Sequence, residues 1–168
     1  IHELGLREVA RIHAGMEAIM RKVDFQGSLQ DFFAYMRTAP EFYYPNTDTG
    51  RKQYLDRVGT VVDSMQHVLP EYFTQLPQAD LVVKRVEAYR EKSAGKAFYN
   101  RPAPDGSRPG TYYANLYDMT SMPIYQMEAL AFHEAIPGHH LQLSLAQELE
   151  GLPDFRKYTH YTAYVEGW

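Results

Sequence analysis

The sequence predicts an α+β fold that is mainly α-helical and carries one small antiparallel sheet. Apolar residues recur at three- and four-residue intervals through most of the chain, a spacing typical of amphipathic helices. Two shorter segments are rich in β-branched and aromatic residues, which predicts strands. The length of 168 residues is that of a single domain.

Three helices are predicted in the first part of the chain. The first covers residues 3–23, where the apolar side chains form one face that we expect to be buried. Ser28 is a good N-cap for the second helix, which the segment TAPEFYYP ends. The third runs from about Gly50 to Val68.

The sheet is predicted from two segments on either side of a turn. Leu81–Arg90 is rich in β-branched residues, and Thr111–Asp118 mixes aromatic with polar residues. The segment RPAPDGSRPG between them is made largely of turn-forming residues. We therefore expect the two strands to form an antiparallel pair.

Helices are predicted again after the sheet. Pro123 suits the first turn of a helix that contains YQMEALAFHEAI, and Pro137 is expected to stop or kink it. A further helix should begin near Gly138 and run to about Glu150. A last one, after Pro153, would carry FRKYTHYTAYVEGW.

The composition excludes several classes of protein. Apolar residues make up 45% and charged residues 23%, and the net charge is -4, so neither disorder nor nucleic-acid binding is indicated. The chain has no cysteine, so any metal must be held by His, Asp or Glu. No run of about 18 apolar residues is present, and no membrane segment is predicted.

Both ends of the chain fall within helical patterns that lack capping signals. Ile1 is not preceded by an initiator Met, and Trp168 lies inside the last predicted helix. We expect a fragment of a longer protein, residues 1–168 being one partial domain. Localisation and oligomeric state therefore stay open.

The segment FHEAIPGHHLQ concentrates three histidines and a glutamate around a Pro-Gly pair. In the HExxH pattern of zinc hydrolases, two histidines four residues apart share one helix face and the intervening Glu is the general base. Here Pro137 stands four residues after His133, and on a straight helix a spacing of six is about 120° out of phase. Because proline disrupts a helix, Ile136 and Pro137 could loop out, which would bring His139 into the position four places from His133.

The predicted metal site needs about three protein ligands and one open position for water. His133 and His139 would supply two imidazoles, and Glu166, on the following helix, would supply a carboxylate. A larger bulge would put His140 in the ligand position instead; otherwise His140 would hold a ligand in place or contact the substrate. Two imidazoles and a carboxylate suit one divalent ion, most simply zinc.

Three residues on the second predicted strand are candidates for lining a cleft beside the histidines. They precede the histidine-bearing helix and are Tyr112, Tyr113 and Asn115.

The segments HEAIPGHHLQ, DGSRPGTYYANLYD and YVEGW together resemble a large bacterial family known as domain of unknown function 885, which is placed with the gluzincin metallopeptidases. The resemblance covers the whole chain, including HELGLREVARIHAGME. It implies a metallopeptidase-like helical domain with the small sheet beside the metal-binding helix, inside a longer protein. Carried over by position, it implies His133 and His139 as imidazole ligands, Glu134 as the base and Glu166 as the carboxylate ligand.

The resulting hypothesis is zinc-dependent hydrolysis of a peptide bond. The ion would polarise the scissile carbonyl and activate a water, while Glu134 would move the proton to the leaving amine. A strand such as TYYANLY could hold an extended peptide by backbone hydrogen bonds. Two alternatives stay open: a non-catalytic helical binding module stabilised by zinc, and a metal hydrolase of an ester or a non-peptide amide.

Overall fold

A computed structural model describes residues 1–168. The backbone forms two compact units, Ile1–Phe42 and Tyr43–Trp168. Helices dominate, and one small three-stranded sheet is present, so the α+β, mainly α-helical fold class is confirmed. That the chain is part of one larger domain stays a prediction.

The first unit contains α1 (His2–Lys22) and α2 (Leu29–Thr38), close to the predicted bounds. Ser28 caps α2 as predicted: its hydroxyl accepts from the Asp31 N–H, and the Asp31 carboxylate accepts from the Ser28 N–H, which forms a capping box. The predicted burial of the apolar face of α1 is wrong, because no residue of this helix is buried. Within this unit α2 is the only helix that packs against it.

The second unit begins with α3 (Asp48–Val68), the third predicted helix. The Thr47 hydroxyl caps it by accepting from the Gly50 N–H at 3.1 Å. Its apolar face enters the core of this unit together with residues from the sheet and from the helices that follow. The members of that face that are buried are Tyr54, Val58, Val61 and Val62.

The sheet contains β1 (Leu81–Arg85), β2 (Ala97–Asn100) and β3 (Gly110–Ala114), in the order β1-β3-β2. The predicted antiparallel pairing of Leu81–Arg90 with Thr111–Asp118 is wrong, since β1 and β3 run parallel. The turn-forming segment joins β3 to β2, a strand that the sequence did not predict and that runs antiparallel to β3. The chain reverses once in the turns after β1 and again after β2, so β1 and β3 point the same way.

The position of each strand in the sheet decides its exposure. β3 has a neighbour on both sides, and four of its five residues are buried. β2 pairs only with β3, so its other edge keeps unpaired backbone groups.

The remaining helices are α4 (Met127–Glu134), α5 (His139–Glu148), α6 (Asp154–Tyr158) and α7 (Thr162–Val165). The predicted interruption near Ile136–Gly138 is confirmed, because α4 ends before it and α5 begins after it. The single helix predicted after Pro153 is instead two short ones, α6 and α7. This segment is mostly exposed and contains β-branched and aromatic residues, which favour helix weakly when packing does not support them.

None of the helices combines the length and the hydrophobicity that crossing a membrane requires.

Candidate metal centre

The connection between α4 and α5 is a sharp elbow. The Ala135 N–H closes the last turn of α4 by donating to the Ala131 carbonyl at 2.8 Å. The His140 N–H then donates to the Ala135 carbonyl at 2.9 Å, a bond that spans five residues where a regular helix spans four. Pro137, which has no N–H to donate, lies inside this widened turn. The elbow brings the rings of His133 and His139 to a centroid distance of 4.4 Å.

Gly138 permits the close approach of the two helices at the elbow. A Cβ atom at this position would lie 1.9 Å from the His133 carbonyl oxygen and 2.2 Å from that of Phe132. Both contacts are with backbone atoms, which cannot rotate out of the way. Only glycine therefore fits at the point where α5 starts against the end of α4.

Glu166 completes a cluster with the two histidines. Its Oε2 atom lies 3.3 Å from Nε2 of His133 and 3.7 Å from Nε2 of His139. All three possible ligand atoms lie within 4.8 Å of one another. Two atoms that are each bonded to a tetrahedral zinc at about 2.0–2.1 Å are about 3.3 Å apart, so the donor set and its spacing fit this ion.

His140 does not point to this cluster. Its Nε2 lies 3.2 Å from the Ala79 carbonyl, which can only accept, so Nε2 carries the proton. Its Nδ1 is then an acceptor for the Tyr99 hydroxyl at 2.8 Å, with the Ser144 hydroxyl 3.4 Å away. Burial lowers the pKa of His140 to about 4. Of the two histidines that the sequence left open, His139 is therefore the one beside His133 and Glu166.

Glu134 lies next to the cluster but is not part of it. Its side chain is buried, and its Oε2 atom has no hydrogen-bond partner among the protein groups. Burial raises its pKa to about 7, with His133 opposing and Glu166 reinforcing the shift. A buried carboxylate oxygen without a partner calls for an explanation, and a water or substrate group in the adjoining cavity would supply the missing contact.

The segment that carries Glu166 is held by few contacts. Glu166 directly follows α7, and its side chain is 48% exposed. The Gln142 amide in α5 donates to the Tyr164 carbonyl at 2.9 Å, and the Trp168 indole N–H donates to the Pro137 carbonyl. Val165 is the only buried residue of α7.

An open cavity of about 410 Å³ adjoins the cluster and Glu134. Its other walls come from β2, from the segment just after it, and from α5 and the C-terminal helices. These residues are Ala97, Phe98, Tyr99, Arg101, Leu143, His160 and Val165.

The three predicted cleft residues lie elsewhere. Tyr112 is fully buried in the core, where the charge of Glu134 helps to raise the pKa of its hydroxyl, although burial is the larger cause. The Tyr113 ring stacks on Phe98 at 4.9 Å. The Asn115 amide donates to the carbonyls of a preceding turn, the shortest bond being 2.7 Å to Glu91. None of these three residues lines the cavity.

The family model described as "Bacterial protein of unknown function (DUF885)" matches residues 1–168. The chain belongs to this family. Among solved structures it is similar to one described as "the putative lipoprotein from Colwellia psychrerythraea", with 33% sequence identity and a TM-score of 0.94. The alignment covers 99% of this chain and 29% of that one, so the chain spans less than a third of that relative. No curated protein matches it.

The strand that lines the cavity in this DUF885 chain, β2, was not predicted, although its sequence contains a weak signal for a strand. The segment AFYN, which forms β2, places two aromatic residues, Phe98 and Tyr99, between Gly95 and Pro102. Its four residues are too short for a clear alternating pattern. Its role became visible only from its place at the edge of the sheet.

Proposed function

We propose that this chain carries the active centre of a zinc-dependent hydrolase that cleaves peptide bonds, of the gluzincin type. The observation that carries the proposal is the convergence of His133, His139 and Glu166 beside an open cavity that also contains a buried, unpartnered Glu134. Two imidazoles and one carboxylate are a ligand set used by catalytic zinc, which keeps a further position open.

Bound zinc would polarise a substrate carbonyl and lower the pKa of a water. The protein residues supply the rest. Glu134 faces the same cavity as the ligands but is not one of the cluster, so it is free to take a proton from the water and hand it to the leaving amine. His139 is buried, and burial lowers its pKa, which favours the neutral imidazole that binds metal.

The free edge of β2 favours a peptide as the substrate. An extended peptide could add to this edge by backbone hydrogen bonds, and β2 lines the cavity through Ala97, Phe98 and Tyr99. The strand first considered for this role, TYYANLY, contains β3, which already has partners on both sides. Hydrolysis of an ester or a non-peptide amide does not require such an edge.

The alternative of a non-catalytic module stabilised by zinc has weaker support. A structural zinc site is closed by four protein ligands. Here only three side chains could serve as ligands, and those of His133 and Glu166 are 40% and 48% exposed. This exposure leaves room for a water and a substrate.

The test uses the full-length protein. With zinc bound, it should cleave members of a peptide library, and Glu134→Gln should keep its zinc yet lower turnover by about 10²–10⁴, the usual worth of a general base. Glu128→Gln is the matched control, because Glu128 lies on the same helix, is exposed and only pairs with Arg57 on α3. Turnover by Glu134→Gln equal to that of the unmodified protein would reject the proposal even with zinc in place.

A further inference from the structure

Arg101 follows β2 directly and is the only lysine or arginine that lines the cavity of the candidate metal centre. It lies two residues after Tyr99, whose hydroxyl contacts His140 and Ser144 of α5. The cavity that Arg101 lines also contains Glu134 and all three members of the histidine-carboxylate cluster.

The guanidinium of Arg101 has unused hydrogen-bonding capacity. One of its five N–H groups donates to the Lys157 carbonyl at 3.0 Å, and none of the ion pairs within 4.0 Å includes Arg101. The residue is half-buried. A guanidinium can bind a carboxylate in a planar, two-bond arrangement, and Arg101 makes no such pair within this chain.

The other charges in the cavity leave the positive charge of Arg101 unbalanced. The carboxylates of Glu134 and Glu166 would balance the two positive charges of a zinc ion. Arg101 would then leave the cavity with one net positive charge, in a site where partial burial strengthens electrostatic interactions.

We infer that Arg101 selects substrates that carry a carboxylate close to the scissile bond. This inference rests on the proposed function and names a substrate class for it. The carboxylate could belong to an acidic side chain or to the free C-terminus of a short peptide, since both present the same two oxygens to a guanidinium. Arg101 would bind that group directly and would take no part in proton transfer.

The experiment measures the binding of intact peptides to the zinc-loaded full-length protein carrying Glu134→Gln, so that turnover does not interfere. The probes are alanine hexapeptides: one acetylated and amidated, a set of the same blocked peptide with one Glu at each position in turn, and one with a free C-terminus. Isothermal titration should find that at least one carboxylate-bearing form binds about 10-fold more tightly than the neutral peptide, as a charge-assisted pair allows. The arm that gains affinity identifies the source of the carboxylate.

Three variants assign the preference to Arg101. Arg101→Gln should lower the preference for carboxylate-bearing over neutral peptides by about the same 10-fold, since the remaining charge comes from the ion and not from a fork that binds both carboxylate oxygens. Arg101→Lys should keep part of the preference, since it restores the charge without the planar fork. Arg108→Met, which removes a charge from the neighbouring cavity that does not include the histidines, should leave the preference unchanged.

The outcomes separate this inference from the proposed function. Equal binding of all the peptides by the protein with Arg101 intact would overturn the role of Arg101 and leave the peptidase proposal standing. A preference of undiminished size in Arg101→Gln would do the same. Failure to bind any peptide, with zinc present at one ion per chain, would overturn both.

Discussion

The two halves of the candidate metal centre are built differently. The imidazole half lies at the elbow between α4 and α5, where the side chain of His139 is 10% exposed and that of His133 is 40% exposed. The carboxylate half is Glu166, whose side chain is 48% exposed and follows a helix of four residues. Backbone hydrogen bonds and the core fix the first half, whereas a few individual contacts fix the second.

This difference indicates that folding itself sets the histidine pair, while the position of Glu166 depends on the C-terminal segment and, in the proposed zinc-bound protein, also on the ion. A metal ion that binds only when all three side chains are in place stabilises the conformation that brings them together. We therefore expect substitutions at the elbow to lower both the free energy of unfolding and the zinc affinity. Substitutions that remove the hydrogen bonds holding the α7 segment should lower mainly the zinc affinity.

The largest effect is expected from His133→Ala. Loss of a metal ligand should reduce zinc affinity by more than the roughly 10- to 100-fold that loss of an outer partner costs. The fold should persist, because the His133 side chain is 40% exposed and its removal opens no core cavity. Zinc content after dialysis, together with thermal unfolding, measures both. His67→Ala, on α3, is the control and should retain zinc. Zinc retained at one ion per chain in His133→Ala would exclude this residue as a ligand.

Gly138→Ala is the direct way to break the elbow. The added methyl group would collide with the backbone carbonyls of Phe132 and His133, so the ends of α4 and α5 must move apart. We expect unfolding free energy to fall by about 1–3 kcal/mol, as overpacking does elsewhere, and zinc affinity to fall with it.

Gly59→Ala provides the matched control for this change. Gly59 lies within α3, and a Cβ atom there would meet nothing within 4 Å. The substitution should stabilise the protein by roughly 0.5–1 kcal/mol. Unfolding curves in urea compare the two variants, and equal effects would mean that the elbow is not tightly packed.

A smaller effect is expected from Gln142→Leu, which removes the bond between α5 and the Tyr164 carbonyl. Zinc affinity should fall about 10-fold, since the position of Glu166 loses support. Unfolding free energy should fall by about 1 kcal/mol or less, the usual net worth of one hydrogen bond.

Gln147→Leu is the control for Gln142→Leu. Both residues lie on α5, but the Gln147 amide donates to the Pro102 carbonyl and not to the α7 segment. It should change stability by a similar amount and leave zinc affinity unaltered. Competition titration with a chromophoric chelator measures the affinities. A larger loss of zinc affinity in Gln147→Leu than in Gln142→Leu would contradict the division between the two halves.

The elbow could be predicted from the sequence because it follows from local chemistry. Pro137 cannot continue a helix, and two histidines separated by six residues can meet only if the helix is interrupted. The choice between His139 and His140 could not be made in this way, because it depends on Tyr99 and Ala79, which are distant in sequence.

The sheet was predicted less well, and for a physical reason. The two segments richest in strand-forming residues, β1 and β3, were identified, but their relative direction depends on the intervening β2. A strand of four residues gives almost no periodic signal. The same omission misplaced the cavity wall, which was assigned to Tyr112, Tyr113 and Asn115 of the central strand and its continuation, while the edge strand forms it.

The most direct test of the zinc centre is anomalous diffraction at the zinc absorption edge from crystals of the zinc-saturated full-length protein. The account predicts one strong peak about 2.0–2.2 Å from Nε2 of His133, Nε2 of His139 and a carboxylate oxygen of Glu166, the distances that zinc adopts with such ligands. Glu134 should lie beside the peak without contacting the ion directly. A peak at other residues, or ordered His133, His139 and Glu166 side chains with no peak among them, would contradict it.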